Sequence, residues 1–294
     1  MIIKKELLVI NKRYVFLALS VLVIIYLLGI STGHYKYFPF KLLYNFKNQF
    51  VTISESKRNS AIGNLKEVNL TVDDGVGIYL TYGQSNAANH GQIGYEVKNK
   101  VYQYFEGKAY FYKDPSLGAT GYDGSVWGMV GDKLIESNIH NKVVFSNNGF
   151  GGRRIEELNK EPFLNYLIEN YNKLLKDYGR VDAILFHQGE INHSNKYGNS
   201  RYYKEFEILV EKLKAEGIII PIYLSRTSIC NNESDTNLIE SQNRIIHDMD
   251  IVFPGPNTDL LSDKKFRLPD NCHFSRLGFE EFSDMWVISL STGV

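Results

Sequence analysis

Polar and apolar positions along this chain change rhythm at about Val72. From there on, short and mainly apolar runs recur at Val76–Tyr82, Val143–Asn147, Ala183–His187, Ile218–Ser225 and Ile251–Phe253. Between them lie amphipathic stretches near Trp127–Asn138, Pro162–Tyr178, Ser200–Glu216 and Asp235–Met249, with a last one around Ser275–Leu290. Apolar strands separated by helical connections imply a parallel sheet covered on both faces. The expected fold is therefore α/β: three α/β/α layers around a doubly wound, mostly parallel, flavodoxin-like sheet of five strands. In such sheets ligands bind beyond the carboxyl ends of the strands, which directs attention to the residues that follow each apolar run.

The first part of the chain reads differently. From Tyr14 to Ile30 there is no charge in 17 residues, and at 1.5 Å per residue a helix of that length spans about 25 Å, near the lower limit for a bilayer. The run predicts one N-terminal transmembrane helix over 14–31. It follows a cytoplasmic segment 1–13 and precedes a polar, partly aromatic tether over 32–71 and a main domain over 72–294. Lys4, Lys5, Lys12 and Arg13 precede the span, which favours a cytoplasmic N-terminus and an exported domain, periplasmic or extracellular. Lys36, Lys41 and Lys47 follow it and blunt that bias. The competing reading is a signal peptide cut near Ser31 and Gly33, leaving a secreted domain; the length of the run and the lack of an A-x-A site weigh against it.

Length and charge narrow the classes. A chain of 294 residues with 44 % apolar residues has material for one packed domain plus an appendage. The formal charge is +0, but residues 1–13 carry +3 and residues 32–60 carry +4, so the remainder sums to −7. An acidic main domain does not bind nucleic acid, because duplex affinity comes from clustered Lys and Arg on phosphates. The two cysteines, Cys230 and Cys272, form no zinc pattern; as thiols or as a disulfide in an oxidising compartment, both readings stay open.

Three segments at predicted strand ends, and one on a loop ahead of the last amphipathic stretch, carry chemistry. Val76–Tyr82 runs into Gly83-Gln84-Ser85-Asn86, a tight turn that presents a serine at the sheet edge, although Ala87 departs from the G-x-S-x-G elbow. Asp270-Asn271-Cys272-His273 places a carboxylate three residues before an imidazole, a spacing that lets Asp270 orient His273 as a proton acceptor. Its bland counterpart is a helix entry with Asp270 as N-cap. After Val143–Asn147, Gly151-Gly152 lets backbone N–H groups approach a substrate oxygen, or simply forms a loop ahead of a helix. After Ala183–Phe186 comes His187-Gln188-Gly189-Glu190, whose neutral amide suits an oxyanion. His187, Glu190 and His193 lack the H-E-x-x-H spacing and a further ligand set, so no metal site is expected.

Taken together and in this order, the GQSN, Gly-Gly, HQGE and DxxH blocks resemble the SGNH hydrolases. More narrowly they are similar to the sialate O-acetylesterase and carbohydrate-acetylesterase branch, over about residues 73–290. The resemblance implies that Ser85 is the nucleophile, His273 the general base and then acid, and Asp270 the orienting carboxylate. It also implies an oxyanion hole made by the backbone N–H groups of Ser85 and Gly152 and the side-chain amide of Gln188. Gln84, Asn86, Glu190 and Arg153 would shape the substrate site. Arg153 stands where Thr or Ser commonly follows the glycine pair, and Phe186 replaces a frequent Trp. The stretch Asp114–Trp127 resembles a loop that overhangs the site and faces sugar, although a buried Trp127 is the commoner outcome for such a residue. The implied activity is removal of O-acetyl groups from a carbohydrate, such as a sialylated or surface polysaccharide, with no cofactor. The alternatives are an O-acetyltransferase using the same triad and, from another class, a non-catalytic glycan-binding protein.

Overall fold

The computed structural model describes residues 57–92, 94–192 and 199–292. The segment 1–13, the predicted membrane helix over 14–31, the tether as far as residue 56 and His193 lie outside the described residues. Among those described, no helix is long and apolar enough to cross a membrane. The chain divides into two units, Met1–Ser54 and Glu55–Val294, and the second contains everything described below.

The sheet has eight strands rather than the expected five. They are β1 (Glu67–Val68), β2 (Val76–Gly83), β3 (Val101–Phe105), β4 (Lys108–Phe111), β5 (Lys142–Gly149), β6 (Ala183–His187), β7 (Ile222–Arg226) and β8 (Val252–Asn257). Their spatial order is β1-β4-β3-β5-β2-β6-β7-β8. The six strands from β3 to β8 in that order run parallel, and β4 pairs antiparallel with both β3 and β1. All five predicted strands are present. The three extra ones are the β3–β4 hairpin and β1, which lies in the stretch read as tether. The hairpin turns on Glu106 and Gly107, both at positive φ (51° and 82°). That is the backbone a two-residue turn needs to match strand twist, but Glu-Gly is a weaker signature for it than Asn-Gly.

Among the described residues six helices connect and cover the strands: α1 (Trp127–Glu136), the short α2 (Ile155–Leu158), α3 (Phe163–Tyr178), α4 (Asn199–Ala215), α5 (Thr236–Asp248) and α6 (Arg276–Ser291). Alternation along each strand assigns side chains to two cores. Ile78, Leu80 and Tyr82 of β2, with Ile184, Phe186, Ile222 and Leu224, pack against Leu167, Phe206 and Ile245 from α3, α4 and α5. Tyr79, Phe145, Leu185 and Tyr223 pack on the opposite face against Trp127 and Val130 of α1 and Phe282 and Trp286 of α6. These are the three layers expected. At the β8 edge, Pro254 and Pro256 sit in the last strand, a position where a missing N–H disturbs no inner ladder.

The register fixes where the site forms. Gly83 of β2 is level with Gly149 of β5 on one side and with His187 of β6 on the other. Three adjacent strands thus end at one height, and the residues that follow them emerge together at the carboxyl edge.

Candidate active site

Ser85 opens a single turn of 3-10 helix, Ser85–Ala87, directly after β2. Gly83 makes that turn possible: its φ is +143°, and a Cβ there would lie 1.9 Å from the His187 carbonyl oxygen. Gln84 then anchors the turn sideways. Its Oε1 accepts from the Ile191 N–H at 3.2 Å and from the Gln188 amide at 3.2 Å. Ser85 itself is 6 % exposed.

Asp270 and His273 sit on a loop ahead of α6. The loop is closed at its base by a bridge between Arg267 and Phe274 and by a bond from the Leu268 N–H to the His273 carbonyl at 2.7 Å. Asn271 takes positive φ (53°), which returns the chain on itself. Asp270 Oδ2 lies 2.6 Å from His273 Nδ1, while Oδ1 accepts the N–H groups of Cys272 and His273, each at 3.0 Å. Partial burial pushes the Asp270 carboxyl up, but the bonds from His273 and the two backbone N–H groups outweigh it and hold the carboxyl below its ordinary range. The bland reading of Asp270 as N-cap does not apply: Ser275 caps α6, accepting from the Gly278 N–H at 3.1 Å.

The two halves meet through Asn86. Its amide donates to Glu190 Oε1 at 2.8 Å and to the carbonyl of Cys272 at 3.2 Å. Glu190 Oε1 also lies 2.7 Å from His187 Nε2, and both side chains are fully buried. Burial pushes the Glu190 carboxyl up, yet His187 and the Asn86 bond prevail and bring it down to about 2. The same Cys272 carbonyl accepts from Arg267 Nη1 at 2.8 Å; Arg267 also donates to Leu261 and Thr258 carbonyls and lies over the Phe274 ring at 4.1 Å. Finally, Cys272 is disulfide-bonded to Cys230, which ties the loop to the segment after β7.

Gly151 and Gly152 follow β5 next to this cluster. Gly151 is buried and Gly152 exposed, with φ +67°. Among the described residues neither the Ser85 N–H nor the Gly152 N–H has a hydrogen-bond acceptor. Gln188 is placed differently: it is fully buried, and its amide approaches Gln84 Oε1 and the Arg153 carbonyl at 3.2 Å and Asn192 Oδ1 at 2.5 Å. Donating to a bound oxyanion would require one of those bonds to exchange. Arg153 is also buried, bonding Glu157 at 3.0 Å and lying over the Phe163 ring.

The segment Asp114–Trp127 borders the site. Thr120 N–H bonds the Gly149 carbonyl at 3.0 Å, its hydroxyl accepts the Gly151 N–H at 2.7 Å, and Tyr122 beside it is 65 % exposed. Trp127 is not on that rim but in the core, donating to the Ala87 carbonyl at 2.9 Å. Four neighbours carried no spacing signal in the sequence: His90, Thr120, Asn192 and Arg267. The His90 ring stacks on that of His273 (centroids 5.6 Å apart), and burial, followed by His273, pushes its imidazole down to about 4. A cavity of about 840 Å³ lies elsewhere, between residues 61–66, 94–97 and 111–115. Among the described residues no three His, Cys, Asp or Glu side chains are grouped to hold a metal ion.

A serine turn, a carboxylate–imidazole pair and free backbone N–H groups at the carboxyl edge of a three-layer sheet define a hydrolase-type fold and site. The family model described as "Carbohydrate esterase, sialic acid-specific acetylesterase" matches residues 124–289, over half of the chain. The chain belongs to that family and is a carboxylic ester hydrolase of the carbohydrate-esterase type. Among solved structures it is similar to a protein from Arabidopsis thaliana, with 13 % identity, a TM-score of 0.56, and coverage of 74 % of this chain and 97 % of that one. It also matches a carbohydrate acetylesterase from Xanthomonas citri (15 % identity, TM-score 0.45, 72 % and 55 % of the two chains). A carbohydrate esterase family 3 protein from Talaromyces cellulolyticus matches at 9 % identity (TM-score 0.47, 73 % and 97 % of the two chains). No curated protein sequence matches the chain.

Proposed function

We propose that this esterase removes O-acetyl groups from a glycan, a sialylated or other surface polysaccharide, through an acyl-serine intermediate. The observation that carries the reading is the Asp270–His273 pair at 2.6 Å, held through the Cys272 carbonyl to the residue that follows Ser85. Ser85 Oγ attacks the acetyl carbonyl while its proton passes to His273 Nε2. The bond to the sugar oxygen then breaks, and that oxygen takes the proton from His273. Water, deprotonated in turn by His273, adds to the acyl-serine; acetate leaves and Ser85 regains its proton. The N–H groups of Ser85 and Gly152 receive the oxyanion, with Gln188 as a third donor when its amide exchanges partners. Asp270 keeps Nδ1 of His273 protonated and Nε2 free. Tyr122 offers an exposed ring on the rim for a sugar face.

The domain works outside the cytoplasm, anchored by the apolar run at Tyr14–Ile30. The Cys230–Cys272 bond supports that placement, because disulfides persist in oxidising compartments. The test is acetate release from O-acetylated sialosides and from acetylated neutral polysaccharides, with Ser85→Ala as control. The variant is expected to fold and to lose hydrolysis of every substrate. Wild-type rates in Ser85→Ala would overturn the assignment.

A further inference from the structure

His90 takes no part in the proton relay, yet it touches both sides of the site. We infer that it is a positioning residue that couples the general base to the oxyanion turn, an inference that rests on the roles proposed above for His273 and Gly152. On one side its imidazole lies nearly parallel to that of His273, with centroids 5.6 Å apart and planes 20° apart. On the other it abuts Gly151 so closely that a Cβ there would come within 2.7 Å of Nε2. Only a glycine leaves room for the ring.

Thr120 completes the link. Its Oγ1 accepts the Gly151 N–H at 2.7 Å and lies 3.3 Å from His90 Nε2. A hydroxyl that accepts from an amide still has its own hydrogen to donate, and a neutral imidazole protonated at Nδ1 offers Nε2 as the acceptor. Burial, and then the neighbouring His273, push the His90 imidazole down to about 4 and so keep it neutral near pH 7. Thr120 is itself held at both backbone groups: its N–H bonds the Gly149 carbonyl at 3.0 Å and its carbonyl accepts the Asn89 N–H at 2.9 Å. The result is a short, stiff series from the His273 ring through His90 and the Thr120 hydroxyl to Gly151. It fixes how far the Gly152 N–H stands from the base. An oxyanion donor works only when aimed where charge develops, so a small displacement of this turn acts on the transition state and leaves ground-state binding alone.

The test compares His90→Ala, His90→Phe and His90→Gln in the intact protein, using an aryl acetate and methylboronic acid. The boronate adds reversibly to serine and presents a tetrahedral anionic centre to the oxyanion donors. His90→Ala should lower kcat about 10- to 100-fold, less than outright loss of an oxyanion donor, with KM within about twofold. Methylboronic acid affinity should fall by a similar factor. His90→Phe preserves a ring but no acceptor, and it is expected to show the same loss with the packing against His273 and Gly151 retained. His90→Gln places an acceptor near Thr120 and should recover most of kcat and of boronate affinity. Wild-type kcat and boronate affinity in His90→Phe would overturn the inference. So would equal kcat losses in Phe and Gln with boronate affinity unchanged. Activity surviving in Ser85→Ala is a separate result that removes the catalytic reading itself.

Discussion

The amide of Asn86 donates to the Cys272 carbonyl at 3.2 Å, so the residue after Ser85 holds the residue before His273. Its second bond, to Glu190 at 2.8 Å, brings in the loop after β6. Three separate segments are thereby joined at one side chain. Asn86→Leu removes both donors and leaves a buried carboxylate and a buried carbonyl each short of a partner. The expected cost is about 2–4 kcal/mol of stability, with kcat falling more than KM changes. Urea denaturation and steady-state kinetics on the same preparation check it.

Gly83→Ala is expected to be among the most damaging single-atom-scale changes in the domain. The new Cβ would meet a backbone carbonyl at 1.9 Å, and the residue already holds φ +143°. Neither conflict is relieved by moving a flexible side chain. The strand end, and with it the Ser85 turn, must shift. The expectation is loss of more than about 3 kcal/mol, or failure to accumulate as folded protein, read by circular dichroism and solubility.

Removing the Cys230–Cys272 bond should loosen the Asp270–His273 loop before it unfolds the sheet. The bond closes a loop of sequence separation 42, for which chain entropy predicts about 4 kcal/mol. Cys230→Ala/Cys272→Ala, or wild type under a dithiol reductant, should therefore show a lower midpoint in urea. Arg267 and Asn86 still hold the Cys272 carbonyl, so activity is expected to fall by less than tenfold below the unfolding transition. Unchanged stability on reduction would remove this role.

His90 and Asp114 should give the stability curve opposing slopes. The His90 imidazole is down from 6.5 to about 4, so its contribution is present above pH 6.5 and is lost as pH falls through 4. The Asp114 carboxyl, raised by burial from 3.8 to about 6, contributes stability present below pH 3.8 and lost as pH rises through 6. Between about pH 6 and pH 4 the two offset each other. His90→Gln should therefore gain stability on acidification relative to wild type, and Asp114→Asn should lose it, each by on the order of 2 kcal/mol. Denaturation midpoints measured from pH 7 to pH 4 decide the signs.

Helices were legible because each carries an apolar stripe and an interruption: α3 ends at Gly179, in the left-handed region, and α5 begins at Asp235, whose side chain accepts the Leu238 N–H. The stretch from Ile218 read as strand too early, since residues 218–221 are the connection out of α4 and pairing starts only at Ile222. The β3–β4 hairpin was missed because Gln103, a polar residue among aromatics, is fully buried and receives the Leu117 N–H at 2.8 Å. At the site, motifs drew attention to residues that share a block. Thr120 and His90 are brought together by loop pairing, including a bridge between Asn89 and Gly121, which no local spacing records. Arg267 carries no spacing signal either; it is its folded loop that brings it onto the Leu261, Thr258 and Cys272 carbonyls.

The two tryptophans are the only ones in the chain, and both are fully buried, with ring centroids 5.4 Å apart. Trp127 also donates to Ala87, two residues beyond Ser85. Indoles this close share their electronic transitions, so the near-ultraviolet spectrum carries a paired signal from α1 and α6. That signal makes the protein its own optical probe: a shift in its emission or dichroism reports movement at the helix pair and at the serine turn before any substrate is turned over.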